Sequence, residues 1–217
     1  MSVVSQTIPL ASGLYIFGRL SSEMKILVAY FGVALMADLV GTYLAAQNIN
    51  NLWVLHIMTI IEFGFLMWVF SCWQNNRMLR RILRMSIPLF SIVGIIAMFF
   101  LEGVGEYNTL SRSVECLILV AASAFALFEL SKESFSSVFN QPRFWVGCAV
   151  LIYYASTLFF FSLSSALLEW SAERRAVVFD FHTFMNVIAN LIYAGGFVCQ
   201  FSAQKSGGPS SLERSPC

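Results

Sequence analysis

Seven apolar stretches of about 20 residues each recur along this chain, each long enough to cross a hydrocarbon core of roughly 30 Å as a helix. They run from about Ser2 to Leu20, Lys25 to Ala46, Leu52 to Trp73 and Ile82 to Leu101, then Leu110 to Leu130, Phe144 to Leu167 and Ala176 to Phe201. In lipid every backbone N–H and C=O needs an internal partner, so only helices and closed barrels can span. A barrel would alternate apolar and polar residues with period two, whereas these runs are solidly apolar. Composition agrees: 58% of the 217 residues are hydrophobic and only 12% charged, against about 25% charged in a typical soluble domain. The expected fold is all-α, a polytopic seven-helix transmembrane bundle over 1–201. Its first helix is the weakest, because Gln6 and Pro9 interrupt it; about 18 residues give about 27 Å, enough to cross if the ends reach the headgroups, with a re-entrant or interfacial segment as the alternative.

Lysine and arginine set the orientation. One set of loops and ends holds Arg19, Lys25, Arg77, Arg80, Arg81, Arg84, Lys132, Arg143, Lys205 and Arg214; the other holds Arg112, Arg174 and Arg175. The positive-inside rule assigns the first set to the cytoplasm, which for seven spans puts the N-terminus out and the C-terminus in. Residues 202–217, rich in Ser, Gly and Pro, are expected to form a disordered cytoplasmic tail. The cysteines show no CxxC spacing, and buried packing accounts for them. With a net charge of +1 nothing points to nucleic acid. Extramembrane mass is small, so any activity must lie in the bundle or in a partner.

Several polar groups sit where they are costly. An ionisable side chain inside a bilayer is by default a candidate functional site. On the seventh run His182, Asn186 and Asn190 recur at i, i+4 and i+8, and Tyr193 returns to within about 20° of His182, forming a polar stripe that should face the bundle interior. Counting about 1.5 Å per residue from the outer helix ends puts His56 about 6 Å deep, His182 and Glu115 about 9 Å, Asp38 about 12 Å, and Glu62 and Asn186 about 15 Å. These groups share one layer opening outward, with Tyr153, Ser156 and Thr157 available as its floor. Each has a plainer role as well. His56 is close enough to the interface to meet water, Asp38 has Thr42 at i+4, and Glu115 has Arg112 at i−3 as a salt-bridge partner. Glu62, near mid-depth, must be protonated, paired or hydrated.

Two histidines and a carboxylate form a competent ligand set for zinc or iron, so His56 and His182 with Asp38 or Glu62 are the metal candidates. Bis-histidine haem ligation by the same pair ranks below it, because the outer side offers few basic residues for propionates. The lysines all lie in loops or tails, which excludes a Schiff-base lysine in the last helix. Pro88 and the pair Gly195-Gly196 do not correspond as the broken helices of a repeat-built transporter would.

The two-histidine pattern superficially resembles seven-helix membrane hydrolases related to alkaline ceramidases and progestin/adiponectin receptors. Those carry two histidines in the last helix, where this chain has His182 and then Asn186. Through Asn51-Leu52-Trp53-Val54-Leu55-His56, Ile61-Glu62-Phe63 and Phe181-His182-Thr183-Phe184-Met185-Asn186, the layout is similar to small, largely uncharacterised seven-helix proteins of bacterial inner membranes. That resemblance implies a multi-pass inner-membrane location and no established activity, although proteins of this sort look like membrane partners of sensory systems; a sensory partner or a homo-oligomer is the expected assembly. The expectation is therefore a ligand-binding or sensory module with an outward-opening polar pocket for a small molecule. A metal-dependent membrane hydrolase, with a carboxylate as general base on bound water, is the alternative.

Overall fold

A computed structural model describes residues 2–132, 138–162 and 171–205. Seven α-helices lie among them: α1 (Ser2–Tyr15), α2 (Ser22–Ala46), α3 (Leu52–Cys72), α4 (Arg77–Ala97), α5 (Thr109–Ser131), α6 (Pro142–Ser162) and α7 (Ala172–Lys205). Six of them, α2 to α7, are long and apolar enough to cross a membrane. Helix α1 is 14 residues long, about 21 Å at 1.5 Å per residue. A single 3-10 turn at Phe17–Arg19 follows it.

Helix ends follow the local chemistry. After α2, Asn48 takes the left-handed conformation (φ 58°), and the Asn48 and Ile49 amides close back on the Ala45 and Leu44 carbonyls, both at 3.0 Å. That is a Schellman closure with asparagine in place of glycine. Asn76 caps α4 by accepting from Met78 N at 2.9 Å and Leu79 N. Helix α4 thus starts at Arg77, five residues before the apolar run at Ile82, because a cap and straight-chain arginines can carry a first turn beyond the lipid. At its far end α4 passes into a π turn, Met98–Glu102, and then Gly103 with φ 83°. Helix α7 starts at Ala172, earlier than hydropathy alone suggests. The expected end of the sixth helix at Leu167 and most of the expected tail lie outside the described residues.

Packing forms a ring. Helix α1 lies against α7 and α2, α2 against α3, α3 against α5, α5 against α6, and α6 against α7. Helix α4 lies outside this ring, chiefly against α3. Its apolar window is 17% buried, against 44% for α3 and α7, so most of α4 presents apolar surface outward. Inside the ring the core is solid towards the end carrying Lys25 and Lys132: Met24, Leu27 and Phe31 from α2, Phe63, Leu66, Met67 and Phe70 from α3, Val150 and Tyr154 from α6, and Phe197 from α7. Close backbone approach at glycines tightens the ring. A Cβ on Gly13 would lie 2.5 Å from Val28 Cγ2, and one on Gly195 3.2 Å from the Trp145 ring. Towards the opposite end the ring is hollow.

Candidate functional site

The hollow half of the ring holds a cavity of about 520 Å³, lined by side chains from all six ring helices. Its lining runs from Tyr30 to Ala45 on α2, from Asn51 to Glu62 on α3, and from His182 to Tyr193 on α7, with Gln6 of α1, Arg112 of α5 and Tyr153 of α6. These are the C-terminal two-thirds of α2, the N-terminal half of α3 and the central third of α7, so the cavity lies toward the end of the bundle where α2 ends and α3 begins. Elements around the mouth are pinned by side-chain amides. Asn51 donates to the Gly41 carbonyl at 2.8 Å, and Asn108 donates to Thr59 Oγ1 at 2.6 Å and to the Leu55 carbonyl at 3.2 Å.

Arg112 is the centre of the charge network. Its Nη1 donates to Glu62 Oε2 on α3 and to Glu115 Oε2 one turn along α5, the latter at 2.7 Å, and its Nη2 donates to the Tyr153 hydroxyl on α6 at 3.2 Å. Its guanidinium also lies 5.5 Å from the Tyr154 ring centre. Tyr30 on α2 donates its hydroxyl proton to Glu62 Oε1. One arginine therefore ties α2, α3, α5 and α6 together through two carboxylates. Charge-assisted bonds of this kind are strong, and in a low-dielectric interior they hold only if their lone pairs are satisfied. Glu62 is satisfied on both oxygens, whereas the buried Glu115 Oε1 has no partner.

The predicted stripe on α7 lies along the cavity: His182, Asn186, Asn190 and Tyr193 all line it, as do Glu62 and Asp38. Asn190 donates to both Ser5 Oγ of α1 (2.9 Å) and Asn186 Oδ1 (2.7 Å). The His182 ring stacks on Phe160 at 5.1 Å with its Nδ1 unpartnered, and Tyr193 meets the edge of Phe31 at 5.0 Å. Asp38 Oδ2 accepts from Gln6 Nε2 at 3.0 Å.

His56 and Glu115 are not among the lining residues. Instead of facing water at an interface, His56 is buried at 2% exposure. Its Nε2 donates to the Glu106 carbonyl at 3.1 Å, and its Nδ1 stands 3.9 Å from Glu102 Oε2. Glu102 in turn accepts from Leu110 N at 2.7 Å and Ser111 N at 3.1 Å. A carboxylate on the first turn of α5 complements the positive end of the helix dipole. His56 is thereby tied to the segment joining α4 and α5, and Glu102 to the first turn of α5. Among the described residues no three His, Cys, Asp or Glu side chains assemble to hold a metal. His182 and His56 thus have different neighbours, phenylalanine and tyrosine rings for one and loop oxygens for the other.

Sequence reasoning missed Arg112 as the hub, together with Tyr30, Gln6 and Asn108. Arg112 sits close to the start of its helix and was counted with the loops. Gln6 had a signal, as a polar interruption of an apolar run. Tyr30 had none, since a lone tyrosine in a spanning helix is ordinary. The chain matches no protein-family model, no curated protein and no solved structure.

Proposed function

We propose that this chain is a seven-span protein of a bacterial inner membrane, N-terminus out and C-terminus in, whose cavity takes a small ligand from the outer side as a ligand-binding or sensory module. The observation that carries the reading is the cavity of about 520 Å³, walled by six helices and polar on all of them. Its size falls within the range of small-molecule sites, and convergent polar groups in an otherwise apolar bundle are what such sites require. Orientation rests on charge. With Arg112 drawn inside, Arg174 and Arg175 alone remain on the cavity side against the ten basic residues of the opposite loops and ends, and the excess belongs in the cytoplasm. The cavity then faces out. A signal can pass inward because Arg112 is held by partners on two other helices, and through Glu62 is linked to Tyr30 on a third, so a ligand that displaces any of them shifts several spans together. No observation favours the hydrolase alternative over this reading.

Access tests it. Thr42 is exposed at the cavity lining. In a background whose native cysteines are replaced by serine or alanine, Thr42→Cys should react with a membrane-impermeant maleimide in intact spheroplasts. Ser131→Cys, at the opposite end of the bundle, should react only after permeabilisation. The reverse pattern would overturn the orientation. A binding arm complements it. The low-molecular-mass fraction of spent medium should raise the melting temperature of the wild type but not of Ala189→Trp, because Ala189 is a buried lining residue and an indole there fills the space. An equal rise in both proteins counts against the cavity as the site.

A further inference from the structure

The cavity's unmatched groups narrow the class of ligand, given the binding role proposed above. Four side chains that can carry charge line it: Asp38, Glu62, Arg112 and His182. Arg112 is already held by Glu62 and by Glu115 behind it, so the network contains two carboxylates and one guanidinium before any ligand enters. Asp38 lies outside that network. Its Oδ2 accepts from the neutral Gln6 amide, and among the described residues no hydrogen-bond donor meets Oδ1 and no cationic side chain lies within ion-pair distance. A carboxylate with no side-chain counter-ion among the described residues, in a half-enclosed, low-dielectric space, attracts a cation far more strongly than it would in water.

A second, independent observation lies on α7. Asn186 and Asn190 line the cavity while only 8% and 5% exposed. Asn190 Nδ2 serves both Ser5 and Asn186 Oδ1, which leaves Asn190 Oδ1 as a free acceptor and Asn186 Nδ2 as a free donor among the described residues. Both residues line the cavity, where a ligand can bond these two atoms directly. Part of the remaining wall is aromatic, with Tyr30, Phe31, Phe161 and Tyr193, and ring faces attract a desolvated ammonium.

We propose that the cavity binds a small organic cation, an ammonium compound whose charge is received by Asp38 and the Asn190 carbonyl oxygen while its body lies against the aromatic wall. A bare metal ion is disfavoured by the same geometry: the space is far larger than one ion, and no three-ligand cluster of His, Cys, Asp or Glu forms among the described residues.

The test uses the full-length protein purified in a maltoside detergent, so that no cationic lipid headgroup competes. Three probes of one shape and different charge are compared by melting temperature and titration calorimetry: phenethylammonium, 3-phenylpropanoate and 2-phenylethanol. Phenethylammonium alone should stabilise and bind. Asp38→Asn, which keeps an acceptor for Gln6, should weaken it by about tenfold or more, while Asp38→Glu retains part of the affinity. If the anion or the alcohol binds as well as the ammonium, or Asp38→Asn leaves its affinity unchanged, the charge assignment is wrong and the binding reading stands. If none of the three binds, the inference is overturned, and the labelling of Thr42→Cys and the spent-medium arm still judge the proposed function separately.

Discussion

Arg112 is a partly buried cation whose placement depends on its partners: Glu62, Glu115 and the Tyr153 hydroxyl all take its N–H groups. Removing it leaves two buried carboxylates without a counter-ion, a change that typically costs about 3–5 kcal/mol. Arg112→Met should therefore lower the melting temperature in detergent sharply, and the double variant Arg112→Met/Glu62→Gln should recover part of the loss. A double-mutant cycle on the pair should show a coupling of about 1–3 kcal/mol. Additive effects would mean that the pair does not interact in the folded protein. Glu115→Gln should be far milder than Arg112→Met, since an amide oxygen can still accept from Arg112 and the surplus negative charge is gone.

At the level of elements, α1 and α4 are set apart by packing. Helix α1 is too short to span comfortably, yet it is fastened to α7 through Asn190 and Ser5 and to α2 through Asp38 and Gln6. Its close approach to α2 depends on Gly13, where a side chain would run into Val28. In lipid, helices associate through packing of small residues and hydrogen bonds and not through the hydrophobic effect, so this contact is sensitive to bulk. Gly13→Val should cost about 1–3 kcal/mol, read as a lower melting temperature. Gly32→Ala is the control: a Cβ there meets nothing within 4 Å, and removing a glycine from a helix interior gains about 0.5–1 kcal/mol. Equal effects at the two positions would show that α1 is not docked as described. Helix α4 carries no side chain of the cavity lining, and its mostly outward surface fits contact with lipid.

For the whole molecule, the ring with one solid and one hollow end makes orientation the decisive property. A reporter that is active only in the cytoplasm, fused after Gln204, should be active, and one that needs export should be silent. The opposite result would turn the cavity inward. The sequence by itself determined the helical class and the number of apolar runs, and it put one face of α7 in a polar stripe. Those follow from local quantities: run length, hydropathy, and the 3.6-residue period that lines up His182, Asn186 and Asn190. Tertiary structure alone decided which groups meet. Arg112 looked like a loop residue because position along a helix is what a sequence reveals, whereas its long side chain reaches inward to Glu62, 50 residues earlier in the chain. The two histidines, at similar expected depth, were separated because depth says nothing about the face a residue presents once helices rotate against one another. His56 turned to the loop after α4, His182 turned to the cavity, and only the packing of the ring could make that distinction.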